Sequence, residues 1–598
     1  MAQGPDQPKT QDIGSPTATA DVISRLTNAV YSRRPVLASI IAGGDMSLRD
    51  YAAGIESPKG IETIQPVDDV KEIIVGKTQR LLGDATAAKV AAQLKNDLVL
   101  DTSHHMAVEF YPLTMQTLLV AAQRKNEVVV ALAGAGIPGL NLVMPLGPSL
   151  VRETQYQGRK LPEVDPETGK VKTRTITNSV IDDSKEVPVR AVETVTGSVK
   201  FNVLPGKTEE RAAVATMPAF TEAQVRSQLN RVAGMFGQKV ISYHEKQALE
   251  SIFQNVYLDP DVLAQSTYSD QATVANHKLF PMLFAPEVHA PELVYLEFEG
   301  ITTKLITKDL ADSDSLISRV LFDDALRQQV MGDLQTVPGC WDSEYAGHPT
   351  KGGTEFFWGI DGRDRSPVGM QLVERDGQLV LSGRNVTDIA FTPEGLTKAL
   401  QEKKILPGLF LSFAALTLAR GEVSCYGGFM QTDYLTRMRD GLAHALETTT
   451  ADAEYQRWAQ LVRDVQTENY ILGMTPVTVR YPASKETRYT PTQYIDDDGQ
   501  EQTGLVGQTI SIPEHVRPAG TVEIIAAGGI TADDWRRLGD ISFITAGSLA
   551  LADTYGIVVP PEERDPALLA ITTADIYDVL GEQFVEKSPA FQRRTRPE

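Results

Sequence analysis

Two adjacent histidines, His104 and His105, are the side chains in this sequence that are best suited to chemistry. They follow residues 97–101, a short and largely apolar run that is typical of a buried strand, and the next helix is predicted to begin only at Pro112. The sequence therefore predicts that both histidines lie in a loop beyond the strand. Free histidine titrates close to neutral pH. Either residue could act as a general acid or base or supply imidazole to a divalent metal, and both alternatives stay open.

A second candidate is the turn 134–139, which follows the β-branched run 127–133 and has the letter pattern Gly-x-Gly-x-x-Gly. Dinucleotide-binding turns share this pattern, but they need a following helix whose N-terminus faces the pyrophosphate. Residues 140–148 do not have a helical pattern, so a dinucleotide cofactor is not expected, although a nucleotide-dependent oxidoreductase stays open as an alternative. The favoured interpretation is a sharp turn at a strand end, with Gly134 and Gly136 beside a substrate.

These two features belong to a predicted strand–helix–strand unit, in which a helix over 112–124 joins strands at 97–101 and 128–133. A crossover of this kind makes the two strands parallel, and apolar β-branched runs suit a sheet that is covered on both faces. Ligands of parallel sheets bind beyond the carboxyl ends of the strands. We therefore expect both histidines and the glycine turn to line one pocket.

A third set of substrate-binding candidates follows the apolar run 406–419, which predicts a buried helix and is too short to cross a bilayer. Paired glycines allow a close approach of the backbone, and the polar side chains next to them offer hydrogen bonds. The candidates are Gly427, Gly428, Gln431 and Asp433. Cys425 could be a nucleophile, but nothing in the sequence pairs it with a base, and a buried thiol is the simpler interpretation.

A fourth candidate is a hairpin turn in the predicted three-stranded antiparallel meander over 354–383. Arg363 and Arg365 lie in this turn close to Trp358, and two guanidinium groups can hold a carboxylate or phosphate through paired donors. The alternative interpretation is that the two arginines are simply exposed to solvent in a charged turn and bind no ligand.

Residues 522–553 resemble the last two βα units of phosphate-binding (β/α) barrels, with a strand ending in Gly-Gly, a helix, and a strand ending in Gly-Ser. The resemblance implies phosphate donors at Gly528, Gly529, Gly547 and Ser548. It covers some 32 residues, whereas a barrel needs eight such units, and residues 480–515 lack βα alternation. The same residues are also explained without a phosphate site, if Thr531 caps a helix and the glycines form ordinary turns.

Composition limits the class of protein. The chain has 57 Lys and Arg against 78 Asp and Glu, a net charge of −21, which argues against nucleic acid as a partner because phosphate binding needs clustered cations. Two cysteines cannot build a disulfide framework, so a reducing cytoplasm is predicted. The first 20 residues lack the apolar core of a secretory signal, and no membrane partner is expected. Residues 451–598 carry 13 basic and 23 acidic side chains.

The length of 598 residues predicts two to four domains. The expected fold class is α/β, with mixed α+β open as an alternative, and consists of a parallel βαβ core near the N-terminus, antiparallel β excursions and an acidic C-terminal α/β region. The predicted segments are a flexible leader over 1–20, an α/β unit over 21–150, a β-rich insertion over 151–210, an α+β domain over 211–450, the acidic region over 451–590 and a frayed tail over 591–598.

The function predicted from these features is that of a cytoplasmic biosynthetic enzyme acting on a small polar metabolite. Its chemistry would be acid–base or metal-assisted, as in a lyase or a group-transfer enzyme, and would be centred on His104 and His105. A non-enzymatic assembly or binding protein, such as a phage or particle component, fits the same composition. Size in solution discriminates between them, and a homo-oligomer is compatible with the enzyme.

Overall fold

The computed structural model describes residues 46–541 apart from a set of shorter segments. Those segments are 109–111, 125, 136–148, 154–159, 165–170, 176–195, 202, 205–211, 239–240, 336, 338, 342–343, 346–347, 350–353, 428, 469–476, 482–483, 496–499 and 513–514.

The strands are β1 (Val99–His105), β2 (Val128–Gly134), β3 (Ser149–Glu153), β4 (Lys160–Val164), β5 (Val171–Thr175), β6 (Thr196–Lys200), β7 (Glu292–Glu297), β8 (Glu344–Tyr345), β9 (His348–Pro349), β10 (Phe357–Ile360), β11 (Pro367–Arg375), β12 (Gln378–Gly383), β13 (Val386–Ala390), β14 (Ile405–Pro407), β15 (Ser424–Tyr426), β16 (Thr478–Tyr481), β17 (Ser484–Ile495), β18 (Glu501–Ile512) and β19 (His515–Pro518).

The α-helices are α1 (Leu48–Gly54), α2 (Asp68–Leu82), α3 (Asp84–Asn96), α4 (Pro112–Ala122), α5 (Glu222–Gly237), α6 (Tyr243–Ile252), α7 (Pro260–Leu263), α8 (Tyr268–Leu279), α9 (Phe298–Leu310), α10 (Leu316–Phe322), α11 (Asp324–Asp333), α12 (Pro393–Gln401), α13 (Leu409–Phe413), α14 (Phe429–Thr449), α15 (Ala453–Arg463), α16 (Thr521–Ala526) and α17 (Ala532–Asp540).

A four-stranded parallel sheet positions the candidate residues, and its strand order is β15-β1-β2-β7. The chain passes from β1 through α4 to β2 and then outward to β7, and it returns to the other side of β1 at β15. The order therefore reverses between β1 and β15. Such a reversal is where ligands bind in open α/β sheets, beyond the carboxyl ends of the strands.

The sheet is covered on both faces. Every residue of β2 is buried, and the helices that pack on the sheet include α4, α8 and α9. The predicted parallel pairing of the first two strands is confirmed. So is the predicted fold class, a mixed α/β chain with a parallel core and antiparallel excursions. The sheet takes two strands from each of the segments 21–150 and 211–450, while the domain boundaries themselves stay predictions.

One expectation about this sheet is wrong. β1 continues four residues beyond the predicted end at Asp101, so His104 and His105 are its last two residues and do not lie in a loop. The sequence predicts that the buried strand ends at Asp101 because the following residues are polar, and burying polar side chains without hydrogen-bond partners costs free energy. Here the polar side chains bond to one another inside the covered sheet, and this removes most of that cost.

The predicted meander is confirmed as part of an antiparallel sheet with the order β13-β12-β11-β10-β14. The turn between β11 and β12 has Asp376 and Gly377 at positive φ, as tight hairpins require. The apolar run 406–419 is buried as predicted, but its first residues belong to β14. Its helical part begins at Leu409 and continues into the π-turn Ala414–Leu418.

The β-type pieces predicted over 151–207 form strands β3 to β6. Two of them, β4 and β5, share a sheet with the long hairpin β17–β18, through a parallel bridge between Glu163 and Leu505. The insertion therefore joins the C-terminal region through backbone pairing.

Predicted helix starts agree with the structure where capping residues mark them. The sequence predicts a capping box at Thr221 and Gln224 and a helix start at Thr392, which precedes Pro393. Thr221 with Gln224 forms the capping box of α5, Thr392 caps α12, and Thr531 caps α17. The sequence pattern over 290–332 predicts a strand followed by a helix, and this is only partly correct. The strand ends at Glu297 and the remainder is helical, in three helices rather than one.

The expected strand before Gly528 and Gly529 is wrong, because residues 521–526 form helix α16. Gly528 has a φ of +96° and ends that helix, and the Gly529 amide donates to Ile524 O at 2.9 Å, the bond of a glycine-terminated helix. The βα context of the barrel resemblance is therefore absent from this segment. The sequence also predicts a helix over 572–585. That segment, Gly547 and Ser548 lie outside the described residues.

Among the helices that the structure describes, none combines the length and the apolar character needed to cross a bilayer.

Candidate functional site

Asp101 and His104 form a buried hydrogen-bonded pair near the carboxyl end of β1. The distance from His104 Nε2 to Asp101 Oδ2 is 2.9 Å, and both side chains have 0% exposure. Residues three apart on a regular strand face opposite sides of a sheet. A bulge brings these two together, because the register advances from 101 to 104 on β1 while the partner strand advances only from Ala131 to Ala133.

Two hydroxyl groups complete the network around the pair. Ser103 donates its hydroxyl and its amide to Asp101 Oδ1, at 2.6 and 3.0 Å. Thr117, from the crossover helix α4, places Oγ1 3.1 Å from His104 Nε2 and 2.8 Å from Ser103 Oγ. The carboxylate therefore accepts three hydrogen bonds, which offsets the cost of burying it.

This arrangement differs from a nucleophilic triad. In a Ser-His-Asp triad, the carboxylate and the nucleophile contact opposite nitrogens of the imidazole ring. Here Asp101 and Thr117 both lie beside Nε2 of His104. His104 Nδ1 is buried and has no hydrogen-bond partner among the residues that the structure describes. The geometry is therefore suited to proton transfer at Nδ1 rather than to activation of a serine or threonine.

A buried tyrosine lies beside the pair. The rings of His104 and Tyr295 meet edge to face, with 5.5 Å between centroids, and the Tyr295 hydroxyl donates to His105 O. Burial, reinforced by the nearby Asp101 carboxylate, raises the pKa of Tyr295 well above its ordinary value. Tyr295 therefore stays neutral and continues to donate.

The segment that follows β1 is fixed by donors and acceptors from the central helices. Asn276 donates to Ala107 O at 2.6 Å, Tyr257 donates to Val108 O at 2.8 Å, and the Val108 amide donates to Tyr268 Oη at 3.2 Å. Residues 106–108 are fully buried. These hydrogen bonds therefore hold the backbone of residues 107 and 108, just after β1, in place.

The sequence predicts a loop for the polar residues after β15, but the helix α14 begins at Phe429, and Gln431 in its first turn reaches the same edge of the sheet. Gln431 donates to Thr102 Oγ1 at 2.7 Å, and Thr102 donates to Tyr426 O at 3.1 Å, so these side chains bridge the gap between β1 and β15. A Cβ on Gly427 would lie 2.2 Å from Gln431 Oε1, so a larger residue there would displace the Gln431 side chain. Burial raises the pKa of the Cys425 thiol, which disfavours a thiolate nucleophile there.

Gly134 ends β2 at this edge, next to two contacts that the sequence did not indicate. Its carbonyl accepts from the Met106 amide at 2.9 Å, and the amide of Ala135 donates to the buried carboxylate of Glu299 at 2.6 Å. Gly136 and Gly428 lie outside the described residues, as does the side chain of Asp433.

The two arginines of the hairpin turn do not converge on the histidines. Arg365 has a φ of +62° and donates to Thr216 O at 3.0 Å, and its own carbonyl accepts from the Ala213 amide. The segment that it holds reaches the sheet edge, because the Ala215 amide donates to Ala135 O. Arg365 is therefore placed to position the backbone beside β2. The amide of Arg363 donates to Asp361 within the turn.

Sequence reasoning missed Glu299, Tyr295 and Asn276. Tyr295 lies on β7 and Glu299 at the start of α9, and the sequence did carry a signal there, since two glutamates follow the apolar run 293–296 within three residues. Asn276 lies in the buried helix α8 on the face of Ala272 and Leu279, where a polar residue suggests a buried partner.

A cleft of about 610 Å³ lies at the opposite, amino edge of the sheet, beside the starts of β2 and β7. Its cationic side chains are already paired: Arg49 with Asp540, Lys89 with Glu292, and Arg124 with Asp97. This cleft is separate from the histidine network.

Within the described part of the chain, no three His, Cys, Asp or Glu side chains converge as metal ligands. No family model, curated protein or solved structure gives a significant match to the chain.

Proposed function

We propose that this chain is a cytoplasmic enzyme that transfers protons on a small polar metabolite, as in a lyase or a group-transfer reaction. His104 is the proton carrier, and Asp101 orients its ring and balances the charge that forms on it. The observation that carries the proposal is the buried Asp101–His104 pair whose Nδ1 lacks a partner among the described residues.

The place of the pair in the fold supports the proposal. It lies on the strand next to the point where the strand order reverses, and Thr102 and Gln431 span that gap. The carboxyl ends of β1, β2, β7 and β15 meet at this edge and bring Glu299 and Gly427 to it. A substrate bound there would contact groups from four strands.

The ring of His104 is fully buried in this conformation. The proposal therefore includes a movement that admits the metabolite, as lid and loop motions do in many enzymes. Exclusion of water after closure would strengthen the Asp101–His104 interaction during proton transfer.

The test uses solvent deuterium as the label. The full-length protein is incubated with a cytoplasmic small-molecule extract in D₂O, and mass spectrometry then searches for metabolites that gain deuterium or change composition. We expect His104→Gln to lower any such conversion about 10²- to 10⁴-fold, the range that general acid–base catalysis contributes. Asp101→Asn should lower it as well, because the amide no longer fixes the ring.

His444→Gln is the matched control. His444 also contacts a carboxylate, with Nδ1 2.8 Å from Asp333 Oδ2, but it lies on the surface with 55% side-chain exposure. This variant should retain full conversion. Equal conversion by wild type and His104→Gln, with both proteins folded, would refute the proposal. Native mass spectrometry of the same samples addresses the assembly alternative, which large, concentration-dependent particles would favour.

A further inference from the structure

The hydrogen bonds around His104 determine which of its nitrogens can accept a proton. The Asp101 carboxylate can only accept, so the hydrogen of the neutral ring lies on Nε2, which is 2.9 Å from Oδ2. The other nitrogen, Nδ1, then presents a lone pair. Because it is buried without a partner in the described part of the chain, this lone pair requires a donor.

A second buried acceptor belongs to Asn276 on α8, which contacts the segment after β1. Asn276 is 0% exposed, and its amide contacts Ala107 O, a carbonyl that can only accept. The nitrogen Nδ2 must therefore face this carbonyl, which fixes the orientation of the amide. Its oxygen, Oδ1, is buried and has no partner among the residues described. Asn276 thus contacts the chain three residues beyond His104 and leaves an acceptor unused.

Both atoms that lack a partner among the described residues, His104 Nδ1 and Asn276 Oδ1, are hydrogen-bond acceptors, so the ligand that satisfies them must carry a hydrogen-bond donor. A carboxylate or a fully ionised phosphate would bring further acceptors to the site and satisfy neither atom. A hydroxyl or a protonated amine would supply the missing hydrogen. We infer that the substrate presents an O–H or N–H group to His104, and that His104 begins the reaction as a base.

This inference rests on the proposed function and names its substrate class. In the step, the bond between hydrogen and the substrate oxygen or nitrogen breaks, and a new N–H bond forms at Nδ1 of His104. The electron pair stays on the substrate, which becomes an alkoxide or a free amine. The imidazolium that results is paired with Asp101.

The first measurement is the tautomer of His104 in the full-length protein. The chain has eight histidines. With ¹⁵N-labelled histidine, long-range ¹H–¹⁵N NMR distinguishes protonated from bare ring nitrogens, and the His104 signals are those absent from His104→Gln. We expect a bare Nδ1 and a protonated Nε2 at pH 7. A proton on Nδ1 would overturn the inference, whatever the result of the deuterium experiment.

The second measurement compares propan-2-ol with acetone, which have the same carbon skeleton, by saturation-transfer NMR. Only the alcohol has a donor. We expect transfer to propan-2-ol to exceed transfer to acetone about threefold or more, and His104→Gln to abolish the difference, while His444→Gln keeps it. The glutamine variant retains a donor toward Asp101 and should fold, and Asn276→Leu provides an independent second variant with a reduced preference.

Equal transfer to the two probes, or transfer to neither, would overturn the inference. If deuterium exchange depends on His104 while the probes show no preference, the proposed function stands and the substrate class is wrong. If the alcohol is preferred but no metabolite exchanges, the acceptor site exists and the proposed function falls.

Discussion

Arg420 offers the sharpest test of how this fold is held together. Its guanidinium has 0% exposure and contacts both oxygens of the buried Asp309 carboxylate, at 2.7 and 3.1 Å. It also donates to Pro66 O at 3.0 Å and lies 3.4 Å from Asp69. One side chain thus ties the end of α9 to the start of α2.

Replacing Arg420 by Met removes the positive charge and leaves the Asp309 carboxylate buried. Breaking a buried ion pair on one side costs about 3–5 kcal/mol. The entropy of unfolding is about 2.1 cal/mol/K per residue, so in a chain of 598 residues each kcal/mol lowers the melting temperature by about 0.8 °C, and we expect a loss of about 2.5–4 °C. The double variant Arg420→Met/Asp309→Leu should recover half of the loss or more, because it leaves no unpaired charge.

The loss should depend on pH in a defined direction. Burial raises the pKa of Asp309 above its ordinary value of 3.8, although Arg420 opposes that rise. Without Arg420 the pKa rises further. A carboxyl with a raised folded-state pKa contributes most stability below its ordinary pKa and loses that contribution as pH rises through the folded pKa. The deficit of Arg420→Met relative to wild type should therefore be smaller at pH 5 than at pH 8.

Thermal unfolding at pH 5, 6, 7 and 8 measures the difference in melting temperature between Arg420→Met and wild type. Arg463→Met is the matched control. Arg463 is paired with Glu447, but the two side chains are 38% and 36% exposed, and an exposed ion pair contributes less than about 1 kcal/mol to stability. The reasoning is refuted if Arg420→Met melts within about 1 °C of wild type at pH 8, where ~2.5 °C or more is expected. A deficit that stays constant from pH 5 to pH 8 refutes the pH argument.

Two further predictions use smaller perturbations. Gly529→Ala should cost about 1–3 kcal/mol more than Gly528→Ala, because a Cβ on Gly529 would lie 2.8 Å from backbone atoms of Phe284 and Ala285, whereas at Gly528 nothing lies within 4 Å. Equal melting temperatures would contradict this. Tyr455→Phe removes a 2.7 Å hydrogen bond to the Asp323 carboxylate. Burial raises the pKa of Asp323, but this bond and the bonds from the helix amides outweigh burial and hold the pKa below its ordinary value. A lowered carboxyl pKa gives stability above the ordinary pKa that is lost as pH falls. The variant should therefore lose about 1.5–3 kcal/mol at pH 7 and less toward pH 3, and a pH-independent loss in chemical denaturation would contradict it.

Local sequence signals predicted those parts of the fold that local physics decides. The β-branched run 127–133 predicted β2, and residues 112–124 predicted the crossover helix α4 to within two residues of its end. Helix caps at Thr221, Thr392 and Thr531 were equally readable, since a side-chain oxygen that accepts from the first turn depends only on neighbouring residues.

Tertiary packing decided the rest. Residues 522–525 are β-branched or acidic and favour a strand by propensity, yet they form α16, with Val522 and Ile524 fully buried. Packing overrides such short-range preferences. The end of β1 depended on partners that the local sequence cannot show, since Thr117 lies on the next helix and Tyr295 lies about 190 residues along the chain.

The candidate site shows the same division. Sequence reasoning placed His104 and Gly134 at one edge of a βαβ unit but left Gln431 in a separate segment, and the strand order β15-β1-β2-β7 brings Gln431 to the same edge. That order cannot be derived from periodicity, because β15 returns to β1 only after some 320 intervening positions. The polar run 101–105 nevertheless contained a usable signal. A buried strand can continue through such residues only if they satisfy one another, and His104 Nδ1, the ring nitrogen that this network leaves without a partner among the described residues, is the atom at which we propose that a ligand binds.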